Sequence, residues 1–325
     1  NSAVGSANLG TQADPYTSIA AFNAAQGTVG GPQAGHQVFL LAGTGLYAEA
    51  DGINLLDGQI LTGVAAGPPR PTIAPTAGDG VNLGDIIVRS GFDVTATAGA
   101  GIVDAASTSG SVTISDVNVT STGQAAIVLD NASGVSIANV TLVSTGSYAI
   151  VATDVAGFSL TDSIASSGSA TDAALSFTEL TGIADFLGNT LTGGFDTLRV
   201  DTSGGSLTMT IADSGSNAAV MGLTDLNGND SLLIETGGSA SLTLTVDGVD
   251  FLGARGDMLQ VVASGTSSQD LTITDNLFHN THTNISSGGG GVTLTGTGSN
   301  IAGRSPRIRA FMQPRAEKPQ IAQMI

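Results

Sequence analysis

Val112-Thr-Ile-Ser-Asp-Val-Asn-Val119, Val135-Ser-Ile-Ala-Asn-Val-Thr-Leu142 and Phe158-Ser-Leu-Thr-Asp-Ser-Ile-Ala165 are successive copies of one unit, starting 23 residues apart. In each, apolar side chains alternate with Ser and Thr, and the alternation ends near an Asp or Asn. A period of two buries one face of a strand and leaves the other in water. Further copies are Leu207-Thr-Met-Thr-Ile211, Leu242-Thr-Leu-Thr-Val-Asp-Gly-Val249, Leu271-Thr-Ile-Thr-Asp-Asn-Leu-Phe278 and Val292-Thr-Leu-Thr295, with Ile183-Ala-Asp-Phe-Leu-Gly-Asn-Thr-Leu191 as a degenerate one. Between them lies a second apolar patch, as in Ala125-Ala-Ile-Val-Leu129, Tyr148-Ala-Ile-Val151, Leu198-Arg-Val200, Leu232-Leu-Ile234 and Met258-Leu-Gln-Val-Val262.

A repeat of this length that holds two or three short strands is the mark of a solenoid, in which each coil buries its inward face only by stacking on the next. A β-sandwich also alternates, but few Asn-Gly or Asp-Gly hairpin signals occur, and the sustained period favours the solenoid. Unequal spacing, up to 35 residues between Leu207 and Leu242, is tolerated because extra residues such as 212–231 leave the stack as loops. An open solenoid exposes a pairing edge, so the ends need covers. Asp14-Pro-Tyr-Thr-Ser-Ile-Ala-Ala-Phe-Asn-Ala-Ala-Gln26 reads as a capping helix with Ile19, Phe22 and Ala25 on one side. Three strands of the first coils follow, His36–Ala42, Gly52–Leu56 and Gln59–Gly63, and then the proline-rich loop 67–75. The expected architecture is all-β: a single-stranded right-handed parallel β-helix over 37–303, an N-terminal segment with its helix over 1–36, and an extended tail over 304–325. About eleven coils of roughly 4.8 Å would make a rod on the order of 50 Å long.

Composition agrees. Glycine fills 46 of 325 positions, about twice the usual share, and suits tight turns. Charged residues are only 11% of the chain, too few to dress the faces of long helices or coiled coils. The net charge of −18 argues against a nucleic-acid partner, which would need clustered cations. There is no cysteine, so disulfides, thiol catalysis and cysteine metal sites are excluded. No apolar run is long enough to span a membrane as a helix. A chain starting at Asn1 without Met fits a processed product or an excised fragment.

The charge is unevenly spread. Residues 1–303 carry only Arg70, Arg89, Arg199 and Arg255, for a net of −22, whereas 304–325 carry a net of +4. The tail adds apolar residues to its cations: Arg304, Arg307, Arg309, Phe311, Met312, Arg315, Ile321, Met324 and Ile325. Such a segment could lie along an acidic β-helix, its own or a neighbour's, or link to a further domain. On a neighbour it would make a head-to-tail contact, which builds a filament when it does not close on itself.

Chemistry is thinly signalled. A β-helix enzyme acting on sugars would need facing carboxylates or a basic groove. The best match is Arg255-Gly-Asp257 with Asp247 and Asp250 near it, against which stands the plainer reading of a loop with one salt bridge. Arg255-Gly-Asp257 also spells the tripeptide read by integrins, a short motif that recurs by chance. His279 and His282 would fall on opposite faces of a strand. Turns such as Asn227-Gly-Asn-Asp230 could hold Ca²⁺, but that loop offers one carboxylate. No cofactor is expected. A body this acidic repels polyanionic substrates, and with no Trp and three Tyr it has little from which to build an aromatic sugar platform.

The run "DPYTSIAAFNAA … HQVFLLAGTGLY … DGINLLDGQILTG" followed by repeating coils resembles the pectate-lyase-like right-handed β-helix, and is most similar to the β-helical regions of large bacterial surface proteins and autotransporter-type adhesins. The resemblance covers residues 8–303 and implies export to a bacterial cell surface or the extracellular space, with no activity attached. The expected function is therefore a non-catalytic structural or adhesive element. Its partner would be a receptor on a host or neighbouring cell, or further copies of itself in a head-to-tail filament. The alternative is a polysaccharide lyase or glycoside hydrolase centred on Arg255, Asp257 and Asp250.

Overall fold

The computed structural model describes residues 10–11, 13–41, 46–64, 69–84, 87–104, 110–222, 228–279, 291–297 and 300–303. The alternating units form strands that pair in parallel, coil upon coil, in a right-handed solenoid of two sheets, one of 19 strands and one of 10. In the coil that begins at Val112, the strand Thr113–Ser121 bends at Asp116, and the strand Ile127–Asp130 crosses in the other sheet. The chain then turns at Asn131 and re-enters the larger sheet one level up, as Ser133–Ala138 and Thr141–Ser144. A parallel crossover of this kind takes the right-handed path almost without exception.

In most of the described coils the bend in the larger sheet comes from one left-handed residue. Asp116, Asn139, Asp162 and Asp275 have φ between 49° and 53°, and Gly188 and Gly248 take the same place in other coils. Asp and Asn tolerate this region because their short side chains can bond the local backbone, and Gly tolerates it for want of a Cβ. In four repeats the Asp or Asn of the sequence pattern is thus the corner of the coil. Just past two of these corners, buried Asn189 and Asn276 satisfy the turned backbone. Asn189 accepts from Ser163 N (3.0 Å) and donates to Leu160 O (2.7 Å); Asn276 accepts from Val249 N and donates to Val246 O (both 2.8 Å).

Register stacks like on like. Ile53, Val81, Ile102, Ile127, Ile150, Leu175, Leu198, Leu232 and Leu259 form one inward column of the smaller sheet, and all are buried. Midway along the rod, Phe158, Phe177 and Phe186 fill the core with ring centroids 4.7 to 5.6 Å apart. Some outward rows of the larger sheet are hydroxyls, as in Ser206, Ser241 and Ser268, or Thr210, Thr245 and Thr272.

The N-terminal helix is shorter than expected, Ile19–Ala25. Ser18, not Asp14, is the N-cap and accepts from Ala21 N at 2.9 Å, while the Glu49 carboxylate accepts from Ile19 N (2.6 Å) and Ala20 N (2.8 Å). Pro15 to Thr17 lie outside the helix because the first NH groups are claimed by these two side chains. Ile19 and Phe22 are buried on the first coil, and Ala25 is half-buried. His36 sits before the first strand, Gln37–Leu41, not within it. Among the described residues the smaller sheet counts ten strands, where the spacing suggested about eleven coils. Long coils account for the difference: from Leu198 the chain needs 34 residues to reach its register partner Leu232. No described helix is long and apolar enough to cross a membrane.

Candidate functional site

Arg255-Gly-Asp257 forms the turn between the strands Asp250–Phe251 and Leu259–Ser264. Its members are used separately. Asp257 is buried, and its backbone NH donates to Asp230 Oδ1 at 2.5 Å. Arg255 makes no ion pair among the described residues, where only Arg70–Asp93 (3.5 Å) and Arg199–Glu235 (2.7 Å) occur. The Nε of Arg255, Oδ1 of Asp250 and Nε2 of His279 are buried without a hydrogen-bond partner. Asp250 stands in an outward row with Val220 and Leu277. Asp247 accepts from Thr274 Oγ1 at 2.5 Å. Asn227, His282 and the whole tail, from Arg304 to Ile325, lie outside the described residues.

Two polar features have no signature in the sequence. The first is a column of buried aspartates, Asp196, Asp230 and Asp257, at matching places in successive coils. Asp230 N donates to Asp196 Oδ1 (3.0 Å) as Asp257 N does to Asp230, and Asn229 Nδ2 bridges Asp196 (3.3 Å) and Asp230 (3.0 Å). Burial pushes the Asp230 carboxyl up to about 7, helped by the charges of Asp196 and Asp257, and burial also raises Asp196. Asp196 and Asp230 each cap the backbone of the coil above, and so hold successive coils in place.

The second is a small cleft of about 160 Å³ bordered by Tyr148, Asp172, Phe195, Asp196, Arg199 and Asp201. Arg199 reaches out of it to Glu235 at 2.7 Å. Burial raises the Tyr148 hydroxyl, and the Asp172 charge raises it further. Its lining residues are spread from Tyr148 to Asp201, so no local motif marks them. A larger apolar groove of about 750 Å³ lies at the N-terminal end, between the helix (Ile19, Phe22) and the first strand (Val38, Leu40), with Tyr16 and Tyr47 beside them.

Most other well-placed carboxylates also serve the chain itself. Asp79 accepts from Ala100 N (2.7 Å) and Asp213 from Ala219 N (2.6 Å). Asp162 is held below its ordinary range by Ser214 and Asn217, and Glu179 by Ser203. Among the described residues no group of three or more His, Asp or Glu side chains could hold a metal ion.

No protein-family model and no curated protein sequence matches the chain. Among solved structures, it is similar to the A-module of a mannuronan C-5 epimerase from Azotobacter vinelandii, at 13% identity and a TM-score of 0.30, over 94% of this chain and 96% of that one.

Proposed function

We infer that this chain is a non-catalytic β-solenoid rod, exported to a bacterial surface, where it acts as a structural or adhesive element. The observation that supports this is the use to which its acids are put. A glycoside hydrolase needs two carboxylates free to face each other across a sugar bond. Here Asp79, Asp196, Asp213 and Asp230 each accept a backbone NH of the solenoid, and Glu49 one of its capping helix, which makes them part of the scaffold. Among what the rod offers its surroundings are rows of Ser and Thr hydroxyls at coil spacing on its larger sheet, a surface suited to contact with a receptor. The surface setting rests on the resemblance of its first coils to surface-protein β-helices.

The test is to incubate the full chain with neutral and acidic polysaccharides and measure newly formed chain ends. The expected result is none, with or without added Ca²⁺. Depolymerisation that disappears in Arg255→Ala or Arg199→Ala would overturn the reading and place the chemistry at the corresponding site. Binding of the intact rod to cells or immobilised glycans, without turnover, is the positive outcome.

A further inference from the structure

Where the chain enters the smaller sheet, just before the strands Leu198–Thr202, Leu232–Thr236 and Leu259–Ser264, three turns lie one above another: Phe195-Asp196, Asn229-Asp230 and Gly256-Asp257. Their backbones are tied directly, Asn229 N to Phe195 O (2.5 Å) and Gly256 N to Asn229 O (2.6 Å). Each aspartate adds a further bond. Asp230 N donates to Asp196 Oδ1 while Thr197 N donates to Asp230 O, and Asp257 N donates to Asp230 Oδ1 while Ser231 N donates to Asp257 O. A side-chain oxygen thus stands in for a carbonyl in the ladder between coils, at a depth where Asp196 is 1% and Asp230 2% exposed.

A carboxyl oxygen accepts an NH whether or not the group is ionised, so these bonds do not need the charge. The charge is costly. Successive coils stand about 4.8 Å apart, and carboxylates stacked so closely out of water cannot all ionise. Little offsets them among the described residues. Arg199 acts on Asp196 but is paired with Glu235 at 2.7 Å, whose charge acts in the opposite sense. Arg255, two residues before Asp257, makes no ion pair, and Asp172 and Asp201 border the same cleft as Asp196. We propose that the column is a proton-operated latch: with Asp230 protonated it holds the turns 228–231 and 255–258 to the coils beneath them, and with Asp230 ionised it lets them part.

Burial opposes the charged form of Asp230 most, and the charges of Asp196 and Asp257 add to it. The NH groups of Asp257 and Asn229 pull the other way but are outweighed, and the carboxyl is pushed up to about 7 from an ordinary 3.8. The latch is therefore fully closed below the ordinary value and opens as pH rises through about 7. Opening is local, because each coil leans only on its neighbours and the rest of the stack can stand while one seam takes up water. The inference holds whether or not the rod is adhesive.

Hydrogen exchange on the full chain reads the latch amide by amide. Corrected for open-chain rates, protection of the Asp230, Ser231 and Asp257 amides should fall by about tenfold or more between about pH 5 and about pH 9, while that of Ile127 and Ile150 stays level. Asp230→Asn keeps an acceptor oxygen without the charge, and should hold those amides closed at both pH values. Protection that does not change with pH, or that falls equally along the rod, would overturn the proposal. A readout that needs no variant is the side-chain carboxyl shift of Asp230, followed by carbon-13 NMR through the same range. A midpoint near 7 is expected, and one in the ordinary carboxylate range would also overturn the latch.

Discussion

At the N-terminal end, the Asn23 side chain donates to Gly52 O (2.9 Å) and accepts from Asn54 N (3.0 Å), and Gln26 donates to Asn54 O, so the edge of the first small-sheet strand is satisfied by amides from the helix. Phe22 and Ile19 lie over the core beneath, and Ile53 in that strand is buried. At the C-terminal end, Leu294 occupies the equivalent kind of place and is nearly half exposed. The two levels carry similar residues in similar register, so burial here belongs to the next level along, not to the residue. An end needs both an apolar lid and partners for its backbone. The helix and its C-cap residue Gln26 supply both.

The comparison can be broken most severely at the lid. Phe22→Ala should cost about 3–5 kcal/mol, read as a lowered midpoint in denaturant, with loss of protection starting in the first coils. Asn23→Ala strands a carbonyl and an NH and should cost about 1–3 kcal/mol; recovery of most of that loss in Asn23→Gln would argue against a bidentate role. A smaller effect, a few degrees in Tm, belongs to the middle of the rod. The folded chain holds Asp230's proton up to about pH 7, against 3.8 when exposed. Stability should therefore be greatest below the ordinary value and fall as pH rises through about 7. Asp230→Asn should flatten that slope, and an unchanged Tm–pH profile would show that the aspartate column is not buried as described. The smallest change is expected from Leu294→Ala, under about 1 kcal/mol in a chain ending at residue 303. A larger loss there would mean that the last coil is better covered than the described residues show.

Much of the fold is legible in the sequence. The strands are visible because each buries alternate residues, and the corners because a left-handed turn selects Asp, Asn or Gly, as at Asp116, Asn139 and Gly188. The helix is legible from Ile19 and Phe22, but not its first residue, since Glu49's claim on Ile19 N and Ala20 N comes from 30 residues away. Nothing local marks the amides of Asn23 and Gln26 as caps, because their partners are the backbone of Gly52 and Asn54. The aspartate column is hidden because Asp196, Asp230 and Asp257 are 34 and 27 residues apart, in coils that depart from the 23-residue period. The cleft around Tyr148 and Arg199 is assembled by stacking alone. Arg255 and Asp257 stand out as neighbours in sequence, yet it is Asp230 that Asp257 meets.

The corner residues have a consequence for how such a chain changes over generations. From Asp116 to Asn139 to Asp162 the backbone returns to the same place every 23 residues, and each coil touches only the coils beside it. Deleting or duplicating one such interval rejoins Ile127's column to Ile150's without a new fold or a new interface. The length of the rod is thus free to vary by unequal recombination in whole steps of one coil. The end levels lack that freedom, because Asn23 and Gln26 fit only the strand they were selected with.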